Sequence, residues 1–397
     1  MAKPRIRVVL VNRIYPPSAG ITGESAAELV GFLCSKGLEV LVVHIDAPYL
    51  GGVEQASIPG KVHKINTFYN GRNKRVRLLA NLYEGLMLVR KARSLKPDVI
   101  ISMTDPPLVN FWCALLLKRF WWILWSMDLY PEAFISGNLV SRKNLFYRLI
   151  DRVVRSNPPK YLIALGEYQR EYLLGKYKKS IDTVLLPCGI YSNGIRSEFT
   201  KPSWCRNDKI TLGYCGNLGE AHSRDFLFSV IDRFPRTKYQ LVLSLYGSRA
   251  TEILRYVQGK QGIILVPNVA RQELQFIDIH LASLVKEWVN VSVPSKTVSS
   301  VCAGSTFLYF GPEASDNWDL LRNAGWLVDG PDINTWIDRF FDELTLEEVS
   351  IKKKIASSRA IELNSMKKEA FESIYRRVSL LNAHAGTSNT YDERIHN

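Results

Sequence analysis

Short apolar runs alternate with helical segments along most of the chain, and this alternation constrains the fold more than any other feature. "IRVVLVN" (6–12) is long enough for one buried strand and too short for a buried helix. A Pro/Gly loop, "RIYPPSAGITGES", follows it. "ESAAELVGFLCSKG" then has apolar residues at helical spacing and closes at Gly37, and "LEVLVVHI" is the next strand. Neither strand has a polar face, which predicts parallel strands covered on both sides. "KPDVIISMT", "FWWILWSMD", "KYLIALG" and "DTVLLPCGI" continue the series, with "PLVNFWCALLLKR" a helix between the first two.

The rhythm breaks at 189–209, a stretch of Pro, Gly, Ser and Asn with little periodicity, and then restarts. "KITLGYCGNLG", "YQLVLSLYG", "GIILVPNV", "IHLASLV" and "STFLYFG" read as strands, and "RDFLFSVIDRF" and "TVSSVCAG" as helices. The expectation is α/β: two Rossmann-like, doubly wound parallel-sheet domains facing across a cleft. The first spans 1–188 and the second 210–355, joined by a linker at 189–209. A helical segment at 356–382 and a disordered polar tail at 383–397 complete the chain. At 397 residues, two cores are expected rather than one.

Apolar residues make up 46% and charged residues 23%, ordinary for a soluble globular protein. None of the six cysteines forms C-x-x-C, so a reducing compartment and no cysteine-held metal are expected. The N-terminal apolar run is too short for a secretory leader. "FWCALLLKRFWWILW" is cut by Lys118 and Arg119 and cannot span a bilayer. A net charge of +14 fits nucleic acid, an anionic membrane surface or anionic substrates. No nucleic-acid-binding signature is present, so nucleic acid is not an expected partner. In "NKRVRLLANLYEGLMLVRKARSLK", Val76, Leu79, Ala80, Tyr83, Leu86 and Met87 follow helical spacing, with basic residues at both ends. Such a helix lies on an anionic membrane or packs on the sheet. Trp121, Trp122 and Trp125 have the same two readings, core or interface.

Several residues carry candidate chemistry. In "GYCGNLGE", Gly216 and Gly219 let backbone approach a phosphate at the start of the next helix, although a plain tight turn uses glycine as well. Glu287 follows a strand that ends at the expected cleft; Pro294 sets a turn, and Lys296 offers a point charge to a diphosphate. Asp128 ends another strand there, either as an acid/base group of the cleft or capping the following helix. Glu132 is a weaker second. The chain has no D-x-D, so no metal clamp is expected.

Taken in order, "VVLVNRIYPPSAGITGESAAELVGFLCSKGLEVLVV", "DLYPEAF", "LLPCGI", "GYCGNLGE", "IHLASLVKEW" and "VPSKTVSSVCAG" resemble the family 4 retaining glycosyltransferases. The sub-branch with "DLWPE" and "GNLG", which serves surface-polysaccharide assembly, is the most similar. The resemblance implies a GT-B fold whose C-terminal helix returns to the first domain. It implies metal-independent, retaining transfer from a nucleotide sugar, UDP favoured, to a lipid-linked or polysaccharide acceptor, with no cofactor. The expected location is cytoplasmic, with peripheral association at the inner membrane face left open. The family's first donor acid falls on Glu287, and Asp128 is the first-domain catalytic candidate. The second acid, which usually holds the ribose, falls on Ser295 or Ser299 depending on the count. The family's diphosphate-binding Arg and Lys fall on Asn217 and His222. The implied donor set is therefore Gly20, Gly216, Asn217, His222, Lys296, Ser295 and Ser299. The lost acid and the lost Arg/Lys pair leave an alternative, a non-catalytic GT-B-like subunit that binds a membrane or a partner transferase.

Overall fold

The computed structural model describes residues 6–18, 20–46, 58–69, 71, 73–191, 200–206, 208–330 and 332–392, without the side chains of 74, 75 and 382–392. The first sheet contains β1 (Arg7–Val11), β2 (Glu39–Asp46), β3 (Lys61–Asn66), β4 (Val99–Ser102), β5 (Trp121–Trp125), β6 (Tyr161–Ala164) and β7 (Asp182–Leu185), in the order β3-β2-β1-β4-β5-β6-β7. Every pair is parallel. Helices α1 (Ile21–Ser35), α2 (Lys74–Ser94), α3 (Val109–Leu116), α4 (Glu132–Ser136), α5 (Leu145–Ser156) and α6 (Glu167–Tyr177) connect the strands. One apolar cluster joins the sheet to α2, α3 and α5 through Leu88, Val89, Cys113, Ile150 and Val154. Another joins its other side to α1 through Ala26, Leu29 and Leu33.

The second sheet is also wholly parallel, in the order β10-β9-β8-β11-β12-β13. Its strands are β8 (Ile210–Asn217), β9 (Tyr239–Tyr246), β10 (Ile263–Leu265), β11 (Ile279–Ser283), β12 (Thr306–Phe310) and β13 (Gly325–Val328). Its helices are α7 (Arg224–Arg233), α8 (Ala250–Tyr256), α9 (Ser295–Cys302), α10 (Asp316–Leu321) and α11 (Ile333–Glu343). The last helix, α12 (Leu346–Asp392), packs on α9 and then on β7 and α1, so it returns to the first domain. There Phe371, Ile374 and Val378 are buried, and the Phe371 ring lies 5.4 Å from that of Phe32. Helical backbone runs on to Asp392, where composition predicts a tail, since an established helix gains one bond for each residue it adds. Residues 393–397 of that stretch, and 192–199 and 207 of the linker, lie outside the described residues.

The structure adds edge strands that the sequence reading left out, decides between the two readings of the tryptophans, and corrects the face of α2. β3 was not legible, because "KVHKIN" is a half-exposed edge strand without an apolar run. Trp122 and Trp125 are core residues, and the Trp122 indole donates to Ser102 Oγ at 2.7 Å, so they form no lipid-facing patch. The inward face of α2 is Ala80, Glu84, Leu88, Val89 and Ala92, while Leu79 and Tyr83 are exposed. The buried Glu84 explains the rotation: it pairs with Arg13 at 2.9 Å and accepts from Thr67, which turns α2 away from its most apolar stripe.

Candidate functional site

In both sheets the strand order reverses beside the first strand of the domain, between β1 and β4 and between β8 and β11. Loops at such points leave a crevice outside the carboxyl ends of the strands. The two crevices face each other and form one cavity of about 390 Å³, lined from both domains. That volume suits a small ligand.

The second-domain wall is built around Lys296. Gly216, next to the last residue of β8, holds φ +119°, a conformation that glycine takes without strain, and a Cβ there would just touch Lys296 Cε at 3.4 Å. His222 is buried, with Nδ1 2.6 Å from the Ser283 carbonyl oxygen and Nε2 3.1 Å from Lys296 Nζ. A carbonyl can only accept, so Nδ1–H donates to Ser283 and Nε2 accepts from the ammonium. Burial and the Lys296 charge push the His222 pKa down to about 3, which keeps the ring neutral. Burial likewise lowers Lys296 to about 8, while nearby Cys215 and Asp128 act in the opposite direction. The ammonium also sits 5.2 Å from the Tyr214 ring centroid.

The N-termini of α1 and α9 open on the same cavity, through Gly20, Ile21 and Thr22 and through Ser295 and Lys296. Their free N–H groups suit an anion. Asn217 lines the cavity, and its Oδ1 occupies the space that a Cβ on Gly247 would need.

The first-domain wall carries two acids. Asp128 follows β5 and opens to the cleft, while protein surrounds the rest of it. Burial raises its pKa, opposed by a Ser292 hydrogen bond and the Lys296 charge; the cleft's water makes the burial effect smaller than in a sealed site. Asp128 caps no helix, since α4 begins at Glu132 with Pro131 at its N-cap and no side-chain cap. The second acid, Asp105, follows β4 and was missed in the sequence. Burial pushes it up to about 6, with Arg13 opposing and Glu84 and Asp128 adding to the rise. Its setting, "TDPP", carries only a turn signal.

The structure separates three residues from this group. Glu287 lies on the 3-10 turn Lys286–Trp288, which buries Trp288 in the cavity wall and leaves Glu287 exposed, outside the lining. Ser299 is buried and also outside the lining, its Oγ donating to the Gly189 carbonyl oxygen at 3.3 Å. Glu132 is buried against Lys176 and accepts from the Tyr172 hydroxyl at 3.1 Å, a structural role. Gly20, Gly216, Asn217, His222, Ser295, Lys296 and Asp128 are brought together, with Gly216 reaching the group through Lys296. Among the described residues, no group of three or more His, Cys, Asp or Glu is placed to hold a metal ion.

No family model matches the chain, and no curated protein sequence matches it. Solved structures do match across nearly its full length. One is a sucrose-phosphate synthase from Thermosynechococcus elongatus, with TM-score 0.66 and 14% identity, covering 97% of this chain and 100% of that one. A second is WaaG, a glycosyltransferase involved in lipopolysaccharide biosynthesis, with TM-score 0.65 and 14% identity over 92% of this chain and 99% of that one. A third is HepE of Anabaena in complex with UDP and glucose, with TM-score 0.62 and 12% identity over 93% of this chain and 99% of that one. At these identities the likeness establishes the fold, which is the two-domain GT-B arrangement.

Proposed function

We propose that the chain is a nucleotide-sugar-dependent glycosyltransferase. It retains anomeric configuration, uses no metal, prefers a UDP-sugar, and acts on a lipid-linked or polysaccharide acceptor at the inner face of a membrane. The observation that carries this reading is Lys296, held by His222 between two helix N-termini and facing Asp128 across the cavity. The lysine and the helix ends neutralise the leaving diphosphate, the work that the family's Arg and Lys do at the positions of Asn217 and His222 here. The leaving diphosphate itself takes the acceptor proton. Asp128 orients the acceptor hydroxyl and stabilises positive charge on the sugar. Ser295 stands on the donor side, at the start of α9. Glu287, one residue before the lining Trp288, joins the donor when closure of the lobes moves its turn. Ser299 supports the linker rather than the ribose in this reading.

A second reading has its own observations: Glu287 lies outside the cavity and Ser299 is bonded to Gly189, as in a non-catalytic GT-B-like subunit. A thermal-shift panel of UDP, GDP, ADP, dTDP and CMP, with and without EDTA, separates the two, because a ligand that binds only the native state raises Tm by mass action. A selective, EDTA-resistant rise with UDP is the expected result. No rise with any of them, on folded protein, transfers the conclusion to the subunit.

A further inference from the structure

Among the described residues, several exposed apolar side chains gather outside the cavity, at the corner where the chain leaves it. After Asp128 the backbone passes through α4, whose Ser136 Oγ donates to the Glu287 carbonyl oxygen at 2.6 Å, and then reaches the surface. There Leu139 is 64% exposed, Leu145 79% and Leu149 59%, with Phe146 also exposed. Asn144 holds this corner in shape by accepting from the backbone N–H groups of Phe146 and Tyr147, which fixes the start of α5. Ile150 and Val154 anchor the opposite side of α5 in the core. No carboxylate occurs between Glu132 and Asp151, while Arg142, Lys143 and Arg148 are all exposed. α3 packs between α5 and α2, and Leu115 of α3 and Leu79 and Tyr83 of α2 are exposed too.

We propose that this corner, Leu139 to Leu149, is the surface by which the protein docks on a bilayer rich in anionic lipid. Solvent-facing leucines cost little when they enter the acyl boundary, and the exposed cations of this carboxylate-free stretch match the negative charge of the headgroups. Docking here places the acceptor side of the cleft, one helix away, at the membrane. The inference rests on the transferase reading for its purpose, to present a lipid-linked acceptor, and the two fail separately, because UDP binding tests one and vesicle binding the other. α2 buries only Ala80 of the apolar face that the sequence suggested and leaves Leu79 and Tyr83 exposed, so it forms the flank of this surface.

The test is co-sedimentation of the full chain with vesicles of phosphatidylcholine alone and of phosphatidylcholine mixed with phosphatidylglycerol. Binding only to the mixed vesicles, weakening with salt, is expected. Arg142→Gln/Lys143→Gln/Arg148→Gln loses roughly fivefold per charge, about a hundredfold together. Leu145→Ser/Leu149→Ser loses on the order of tenfold or more. Both variants keep the wild-type Tm, since every changed residue is exposed. Equal binding to both vesicle types, or unchanged binding by the charge variant, overturns the proposal. So does a self-associated species in solution that Leu145→Ser/Leu149→Ser breaks while vesicle binding persists, which makes the corner an interface between copies.

Discussion

An ammonium group enclosed by Tyr214, His222 and Cys215 releases its proton more readily than one in water, and on the proposed reading the hold on a diphosphate depends on that proton. The Lys296 pKa of about 8 sets the sign. Below it the side chain is charged and attracts a diphosphate, and above it the charge and the attraction are lost. UDP affinity is therefore expected to fall as pH rises through about 8, with UDP keeping its full charge across that range. Lys296→Met should weaken UDP binding by about tenfold to a hundredfold and flatten the profile. His222→Asn keeps a donor for Ser283 but is too short to place an acceptor where Nε2 meets Lys296, and should shift the midpoint. Titration calorimetry across that range measures all three, and a slope that survives in Lys296→Met removes Lys296 from the role. The Pro-Ser-Lys turn made Lys296 legible in the sequence. Its contact with His222, 74 residues away, was not, because no local pattern encodes which side chain meets a lysine across a domain. Asp105 was hidden for the same reason: a turn motif predicts backbone shape, not the wall that the turn faces.

Among the elements, α12 has the widest reach. Its first half packs on α9, and its second half buries Phe371, Ile374 and Val378 against the first domain. Phe371→Ala should cost about 2–4 kcal/mol, below the full range for buried phenylalanine because the site is near the surface. Chemical denaturation measures it, and a loss under about 1 kcal/mol would mean that the returning helix contributes little to the first domain. The strands of both sheets were readable because a strand covered on both faces is continuously apolar, as in "VVLVN" and "LEVLVVHI". The edge strands β3 and β13 and the inward face of α2 were not. An edge strand needs no apolar run, and a buried ion pair such as Arg13–Glu84 overrides the hydrophobic pattern of the helix that carries it.

At the scale of the whole molecule, two sheets present their carboxyl ends to one cavity, and charged contacts cross between the domains. Arg271 pairs with Glu24 of α1, and Lys367 of α12 pairs with Glu28 at 3.0 Å. The cavity is open enough for Asp128 to meet water, and Glu287 stands just outside it. Closure on a nucleotide sugar should bring the lobes together. Small-angle scattering is expected to show a smaller radius of gyration with a UDP-sugar than without it. An unchanged radius with ligand bound would mean that Glu287 does not enter the site by lobe closure.

The sequence by itself determined the two Rossmann-like parallel sheets and the turn that carries Lys296. Each follows from short-range rules: apolar run length, helical period, and glycine and proline at the turns. Only the tertiary structure decided which polar groups share the cavity. It placed Asp105 beside Asp128, set His222 under Lys296, bonded Ser299 to the linker and turned Glu287 outward on a three-residue helix whose tryptophan fills the wall. A side chain's direction at a strand end depends on what packs behind the turn, and in this chain those packing partners come from distant segments.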